Sequence, residues 1–211
     1  MNNVLDLDPK IKEFELHQNP KIIRVNSFDE DSAAAFAKEI SIAHNTGQNF
    51  IPVVIDSYGG EVYSLMSMIS SIKNSEIPIA TIVEGKAMSC GVVLFSCGTK
   101  GMRFISEEST LMIHDVSDGI YGKNAEIQAS AKEARRLNKM LYELLSSNCN
   151  KTKDYFWKEV QKRGRADWYI TPKNAARLGL ADHIGVPRLS TNVKVNINLD
   201  IRKGDEFITL A

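Results

Sequence analysis

The sequence has few cysteines, no long apolar run and no surplus of charge of either sign. Its three cysteines, Cys90, Cys97 and Cys149, have neither CxxC spacing nor histidines at metal-ligand intervals, so no zinc or other metal site is expected. An odd number of thiols, together with an N-terminus (MNNVLDLDPK) that lacks a basic region followed by an apolar run, points to reduced thiols and a cytoplasmic location. No stretch approaches the roughly 18 apolar residues of a membrane span. Lys and Arg number 26 and Asp and Glu 26, a formal net charge of zero. Coating nucleic acid or anionic lipid needs a standing excess of cations, so neither nucleic acid nor membrane is an expected partner. There is no internal repeat and no low-complexity segment.

What is present is ordinary for a globular chain: 211 residues, 43% hydrophobic and 25% charged. That length fits one domain of roughly 150–200 residues with modest extensions, large enough to bury about 70% of its unfolded surface without disulfide, metal or cofactor. The charge is uneven. Residues 131–167 hold 10 basic and 5 acidic side chains, whereas residues 1–60 hold 5 and 9. The basic stretch reads as the solvated face of a long helix and its loop.

Period and punctuation place the elements. Lys21–Val25 is a short strand. Ser27, with Glu30 three residues on, is a capping-box signature for a helix burying Ala33, Phe36, Ala37 and Ile40, ending at the turn residues 45–49. The run Ile51–Ile55 reads as a strand buried on both faces. It leads through Gly59 and Gly60 into a helix with Val62, Leu65, Met66, Ile69 and Ile72 on one side. The pattern repeats: a strand at Ile77–Val83, a turn at Gly85–Ser89, a short apolar helix from Cys90, then strands at Met102–Ile105 and Thr110–Val116. Asn124 is the expected N-cap of the longest helix, whose stripe Ile127, Ala131, Ala134, Leu137, Leu141 and Leu144 runs for about 25 residues, or roughly 37 Å. A helix so long in so small a domain is expected to project and pack against another subunit. A segment with Phe156, Trp157 and Val160 follows, then Trp168–Ile170 and a helix from Pro172 to Leu178 closed by Gly179. Alternating strands and helices make the chain α/β.

The chemistry is expected at the two strand-to-helix turns, where unpaired N–H groups and the positive end of the helix dipole meet whatever lies there. Gly59-Gly60 allows close backbone approach. Ser89, between small neighbours in GKAMSCG, is placed as a nucleophile beside potential oxyanion donors. Ser at a helix start is commonly only a cap, and a lone strand His is commonly structural; His114 within 25 residues of Ser89 makes the pair a candidate nucleophile and base. Cys90 reads as a small packing residue and not as the nucleophile.

These segments resemble the proteolytic subunit of the Clp protease family: IDSYGG at 55–60, GKAMSCG at 85–91, KGMRF at 100–104, MIHDV at 112–116 and DWYITPKNAARLGLAD at 167–182. The resemblance runs from about Lys21 to Val186. It implies a crotonase/Clp-type spiral of strand-strand-helix units with a projecting handle helix at about 117–165. The implied segmentation is an N-terminal segment 1–20, a peptidase domain 21–187 and a C-terminal extension 188–211. By the same resemblance Ser89 is the nucleophile, His114 the general base and Asp167 the orienting carboxylate. The backbone N–H groups of Gly60 and Cys90 are the oxyanion hole, and Gly59 and Gly60 bind substrate as an added strand. Asp115 and Asp182 compete with Asp167; Asp115, adjacent to His114 in a strand, is expected to face the other way. The implied activity is ATP-independent serine endopeptidase hydrolysis of unfolded polypeptide in two stacked heptameric rings, fed by an AAA+ unfoldase.

The sequence departs from the family in places. Tyr58 stands where proline is usual, Asp115-Val116 replaces Gln-Pro, and the His114–Asp167 interval is a few residues longer. Residues 1–20 do not resemble the axial pore loops, and the tail from Leu189, with alternating Val193, Val195, Ile197 and Leu199, reads as an added strand or subunit-contact arm. Two rival readings remain, a non-catalytic ring subunit and a crotonase-type acyl-CoA enzyme, both of which predict an unreactive Ser89.

Overall fold

The sheet is organised by two strands buried on both faces. β2 (Ile51–Ser57) and the ten-residue β3 (Ile79–Met88) run side by side in parallel, Ile51 opposite Ile79 and Ile55 opposite Val83. Their near-continuous apolar sequence is what a strand covered by helices above and below requires. The computed structural model of this protein describes residues 19–117, 119 and 121–190, with the backbone of 199–203 and 206–210. β1 (Ile23–Val25) adds to the outer side of β2. The other side of β3 is divided. Thr81–Val83 pair with β4 (Arg103–Ile105), while Lys86–Met88 pair with β5 (Thr110–Ile113), so one strand forks between two neighbours. β7 (His183–Ile184) extends the sheet beyond β4. β6 (Trp168–Ile170) closes on β5 as the sheet's antiparallel pairing among the described residues.

Around this sheet lie α1 (Glu30–His44), α2 (Val62–Lys73), α3 (Cys90–Ser96), α4 (Asn124–Asn148), α5 (Tyr155–Lys162) and α6 (Pro172–Leu178). The core is continuous from Phe28, Phe36 and Leu65 on one side to Phe95, Leu145 and Phe156 on the other. The mixed α/β, parallel-dominated architecture is the expected one.

Several details differ from the sequence reading. β3 does not turn at Gly85 but continues to Met88, because β2 (Ser57 opposite Ala87) and β5 supply ladder partners on both sides. A Cβ at Gly85 would lie 2.9 Å from Asp56 Oδ1, the end of an exposed side chain that can move aside. The α1 cap is Asp29, not Ser27: its carboxylate accepts from Ser32 N–H at 2.7 Å, and Asp29 N–H in turn donates to Ser32 Oγ at 2.9 Å. Phe28, just before it, bridges to Gly60 and cannot start the helix. Ala43 is buried in place of Ala37, and Met68 in place of Met66. α4 is capped by Lys123, with Asn124 its first residue; the Glu126 carboxylate accepts from Lys123 N–H at 3.0 Å.

α4 is a single helix of 25 residues, divided in its environment. None of residues 124–136 is buried and Ile127 is 43% exposed, whereas Leu137, Leu141 and Leu145 sit in the core. β6 and α6 have their expected bounds, and Gly179 closes α6 in the left-handed region at φ 83°. In the tail, Leu199–Lys203 (β8) and Glu206–Leu210 (β9) form an antiparallel hairpin; Val193, Val195 and Ile197 lie outside the described residues. Among the described residues, no helix is long and apolar enough to cross a membrane.

Candidate active site

Ser89 occupies the abrupt junction between β3 and α3. Its φ is +55°, a left-handed conformation rarely taken by residues other than glycine. The turn is held because Ser89 N–H donates to Met112 O at 2.9 Å, anchoring the junction to β5, while every residue of α3 is buried. The strained backbone presents the serine side chain at the end of the strand. Cys90 begins α3, so its N–H has no partner within the helix. Gly59 packs directly on the serine: at φ +107°, a Cβ there would lie 2.6 Å from Ser89 Cβ and 3.2 Å from Ser89 Oγ. Gly60, at φ +154°, lies against the Phe28 carbonyl and accepts a hydrogen bond from the Cys90 thiol at 3.2 Å.

His114 is the residue after β5, not a residue within it. The antiparallel register of β5 and β6 pairs Leu111 with Ile170, Met112 with Tyr169 and Ile113 with Trp168. The register ends at that last pair; continued by one step it would set His114 opposite Asp167. Ser89, His114 and Gly60 line one cavity of about 60 Å³ with Cys90, Val62 and Val93, and Leu141 and Tyr142 of α4 also line it. Asp167 is exposed and outside that lining. Among the described residues, no hydrogen bond joins Ser89 Oγ, His114 and Asp167 to one another.

The competing carboxylates have other partners. Asp182 is committed to Arg103, accepting from Nη2 at 2.6 Å and Nε at 2.9 Å and from the backbone N–H of Gly101 and Arg103. Burial works to raise the Asp182 pKa, and these donors overcome it, holding the carboxyl below the usual carboxylate range. Strand alternation would turn Asp115 away from the site, but β5 has already ended before it. Asp115 instead accepts from Tyr142 Oη at 2.7 Å and faces Arg165 Nη1 at 3.5 Å. Burial pushes the Cys90 thiol up to about 11, so it is protonated at neutral pH and a poor nucleophile.

Sequence reasoning missed Asn138, Tyr142 and Arg165. The first two are polar positions on the apolar stripe of α4, the one signal that marked them: Asn138 Oδ1 accepts from Val116 N–H at 2.7 Å, and Tyr142 reaches Asp115. Arg165 carried no signal beyond its nearness to Asp167. Among the described residues, no group of three or more His, Cys, Asp or Glu side chains is arranged to hold a metal ion.

A family model described as Clp protease matches residues 11–188. The ATP-dependent Clp protease proteolytic subunit of Deinococcus radiodurans is 29% identical over 134 residues, covering 64% of this chain and 64% of the relative. The subunit of the same name from Porphyromonas gingivalis is 32% identical over 134 residues, covering 64% of this chain and 59% of the relative. The chain thus spans about six tenths of the length of these curated relatives.

Proposed function

The chain belongs to the Clp protease family, and on that premise we propose that it is a serine peptidase in which Ser89, His114 and Asp167 act as nucleophile, base and orienting acid. The observation that carries the reading is Ser89 itself: a serine at φ +55° on a strand-to-helix turn, sharing one cavity with a histidine. A cap would need neither the strain nor the cavity, and Ser89 makes no side-chain capping bond to α3.

In this mechanism His114 accepts the Ser89 Oγ proton as the oxygen attacks a peptide carbonyl. The tetrahedral oxyanion is received by the N–H groups of Gly60 and Cys90. Collapse breaks the C–N bond, His114 returns the proton to the leaving amine, and water then hydrolyses the acyl-enzyme by the same proton path. Asp167, one residue beyond the last β5–β6 pair on the β6 side, holds the imidazole tautomer. An extended substrate would lie along Gly59 and Gly60, read through its backbone. The chain itself hydrolyses no ATP in this scheme; the family relatives carry "ATP-dependent" in their names, and an AAA+ unfoldase delivering unfolded polypeptide is the proposed source of that dependence.

Ring assembly as two stacked heptamers, with the solvent-exposed first half of α4 including Ile127 as a subunit contact, is part of the same proposal. A cytoplasmic location is part of the same proposal.

The test is a fluorophosphonate probe. Stoichiometric labelling of Ser89, lost in Ser89→Ala, supports the peptidase reading over both the non-catalytic subunit and the acyl-CoA enzyme. An unlabelled Ser89 in a ring confirmed by native mass spectrometry refutes it.

A further inference from the structure

The β5–β6 ladder stops one pair short of His114 and Asp167: its last assigned pair is Ile113 with Trp168. The register points the two residues toward each other but no ladder pair fixes them, so another contact must hold this segment. Asp115, immediately after His114, is the group placed to do so. Its two oxygens serve different parts of the fold. Oδ1 accepts from Tyr142 Oη of α4 at 2.7 Å, and Oδ2 faces Arg165 Nη1 at 3.5 Å, two residues before Asp167.

Both partners are themselves held. Tyr142 is 2% exposed and lies edge-on to Trp157, ring centroids 6.1 Å apart. Burial, then the Asp115 carboxylate, pushes its phenol far above the usual value, so it remains a donor at any working pH. Arg165 stands at φ +62°, with its guanidinium 5.5 Å from the Trp157 ring centroid and Nε donating to Gln161 Oε1 at 3.2 Å. One turn before Tyr142, Asn138 takes the N–H of Val116. The two residues after His114 are thus both fastened to α4, and one of them is also linked to the Asp167 loop.

Building on the peptidase reading above, we propose that Asp115 is a positioning residue for the His114–Asp167 pair. It ties the His114 segment to α4 through Tyr142 and to the Asp167 loop through Arg165. The two ties are unequal. The Tyr142 bond is a charge-assisted hydrogen bond from a buried donor, whereas Arg165 is about half exposed and its pairing is screened by solvent.

The experiment compares Tyr142→Phe, Asp115→Ala, their double variant and Arg165→Gln with wild type, in assembled protein. It measures kcat and KM on a fluorogenic peptide, the fluorophosphonate labelling rate of Ser89, and Tm. Lys158→Gln, which removes an exposed ion pair to Asp154 on α5, is the control and leaves kcat unchanged. Tyr142→Phe lowers kcat about tenfold and Asp115→Ala, which removes both ties, about 30-fold, each with KM within about twofold, since the base is misplaced and substrate contacts are not. The double variant is no worse than Asp115→Ala alone, because Asp115→Ala already removes the Tyr142 tie. Arg165→Gln, whose half-exposed side chain can be lost without unfolding, lowers kcat by a smaller factor, about threefold. Single variants with kcat within twofold of wild type, or losses that multiply in the double variant, overturn the proposal. So does a kcat loss that vanishes at temperatures well below each variant's Tm, which would mark a purely structural role. A wild-type enzyme unlabelled at Ser89 overturns the peptidase reading along with this one; a labelled wild type with unaffected variants overturns this one alone.

Discussion

Replacing Gly59 by alanine tests the serine's surroundings most directly. An alanine Cβ at Gly59 would lie 2.6 Å from Ser89 Cβ, 3.0 Å from the Met88 carbonyl and 3.2 Å from Ser89 Oγ. Carbon atoms rest about 3.5–4.0 Å apart, so the serine must retreat by roughly 1 Å. Met88 is held in the β3–β5 ladder and Ser89 N–H is bonded to Met112 O, so the displacement falls on the serine side chain and its turn. A nucleophile misplaced by about 1 Å loses on the order of 100-fold in rate. The alanine must also adopt φ +107°, at roughly 1–3 kcal/mol of backbone strain, or about 2–12 °C in Tm for a chain of this size. Gly47→Ala separates the two effects. Gly47 has φ +74°, and a methyl group there would meet nothing within 4 Å, so this variant carries the backbone strain without the collision. Peptide hydrolysis and the fluorophosphonate labelling rate are the assays, with Tm in parallel. Gly59→Ala is expected to lose both activities about 100-fold while Gly47→Ala loses only Tm. A Gly59→Ala enzyme that labels within threefold of wild type, or a Gly47→Ala enzyme equally inactive, would refute the argument that Gly59 is there to make room for the serine.

Three further outcomes are expected. Asp182→Asn breaks the pair with the 3%-exposed Arg103, costing roughly 3 kcal/mol at pH 7 by urea unfolding. Because the folded carboxyl titrates lower than the unfolded one, its stabilisation is present above about pH 4 and is lost as pH falls through the folded value. The wild-type advantage therefore shrinks toward pH 3, and a constant gap would contradict the assignment. Cys90, buried and titrating near 11, stays unmodified by iodoacetamide in native protein at pH 8, whereas fast alkylation read by mass spectrometry would contradict its assigned environment. Ile127→Glu, on the exposed stripe of α4, lowers the ring fraction in native mass spectrometry with little change in subunit circular dichroism, while Leu137→Ala, in the core, costs about 2–5 kcal/mol of stability; assembly untouched by Ile127→Glu would remove α4's exposed half from the interface.

The parts of the fold legible in sequence are those specified by local chemistry. β6 and α6 have their expected bounds because Pro172 starts the helix and Gly179 ends it in the one backbone region where glycine is favoured. The β2–glycine–α2 unit is legible because an apolar run, a glycine pair and a helical stripe follow each other directly. The misread details depend on distant partners. Gly85 has the look of a turn, and β3 runs on past it because Ala87 pairs with Ser57 of β2 and Lys86–Met88 pair with β5. Ser27 has capping chemistry as good as Asp29, and the choice between them is made by Phe28 pairing with Gly60. The Asp115 partners have no local pattern at all, since Tyr142 is 27 residues away and Arg165 lies in another loop.

The fork in β3 connects these observations. Because β4 takes its first half and β5 its second, the far end of β3 is held by β5 up to Met88 and by β2 at Ala87. A turn at Ser89 can then be strained without loosening, since the ladder on both sides and the buried α3 over-determine it. The same fork frees β5 from β4, leaving its other edge open to β6 and bringing Asp167 from a distant part of the chain toward His114. What the fork does not supply is a ladder reaching as far as His114. That missing pair is why the residues after it lean on α4, and why a change on a helix with no catalytic group of its own is expected to register in kcat.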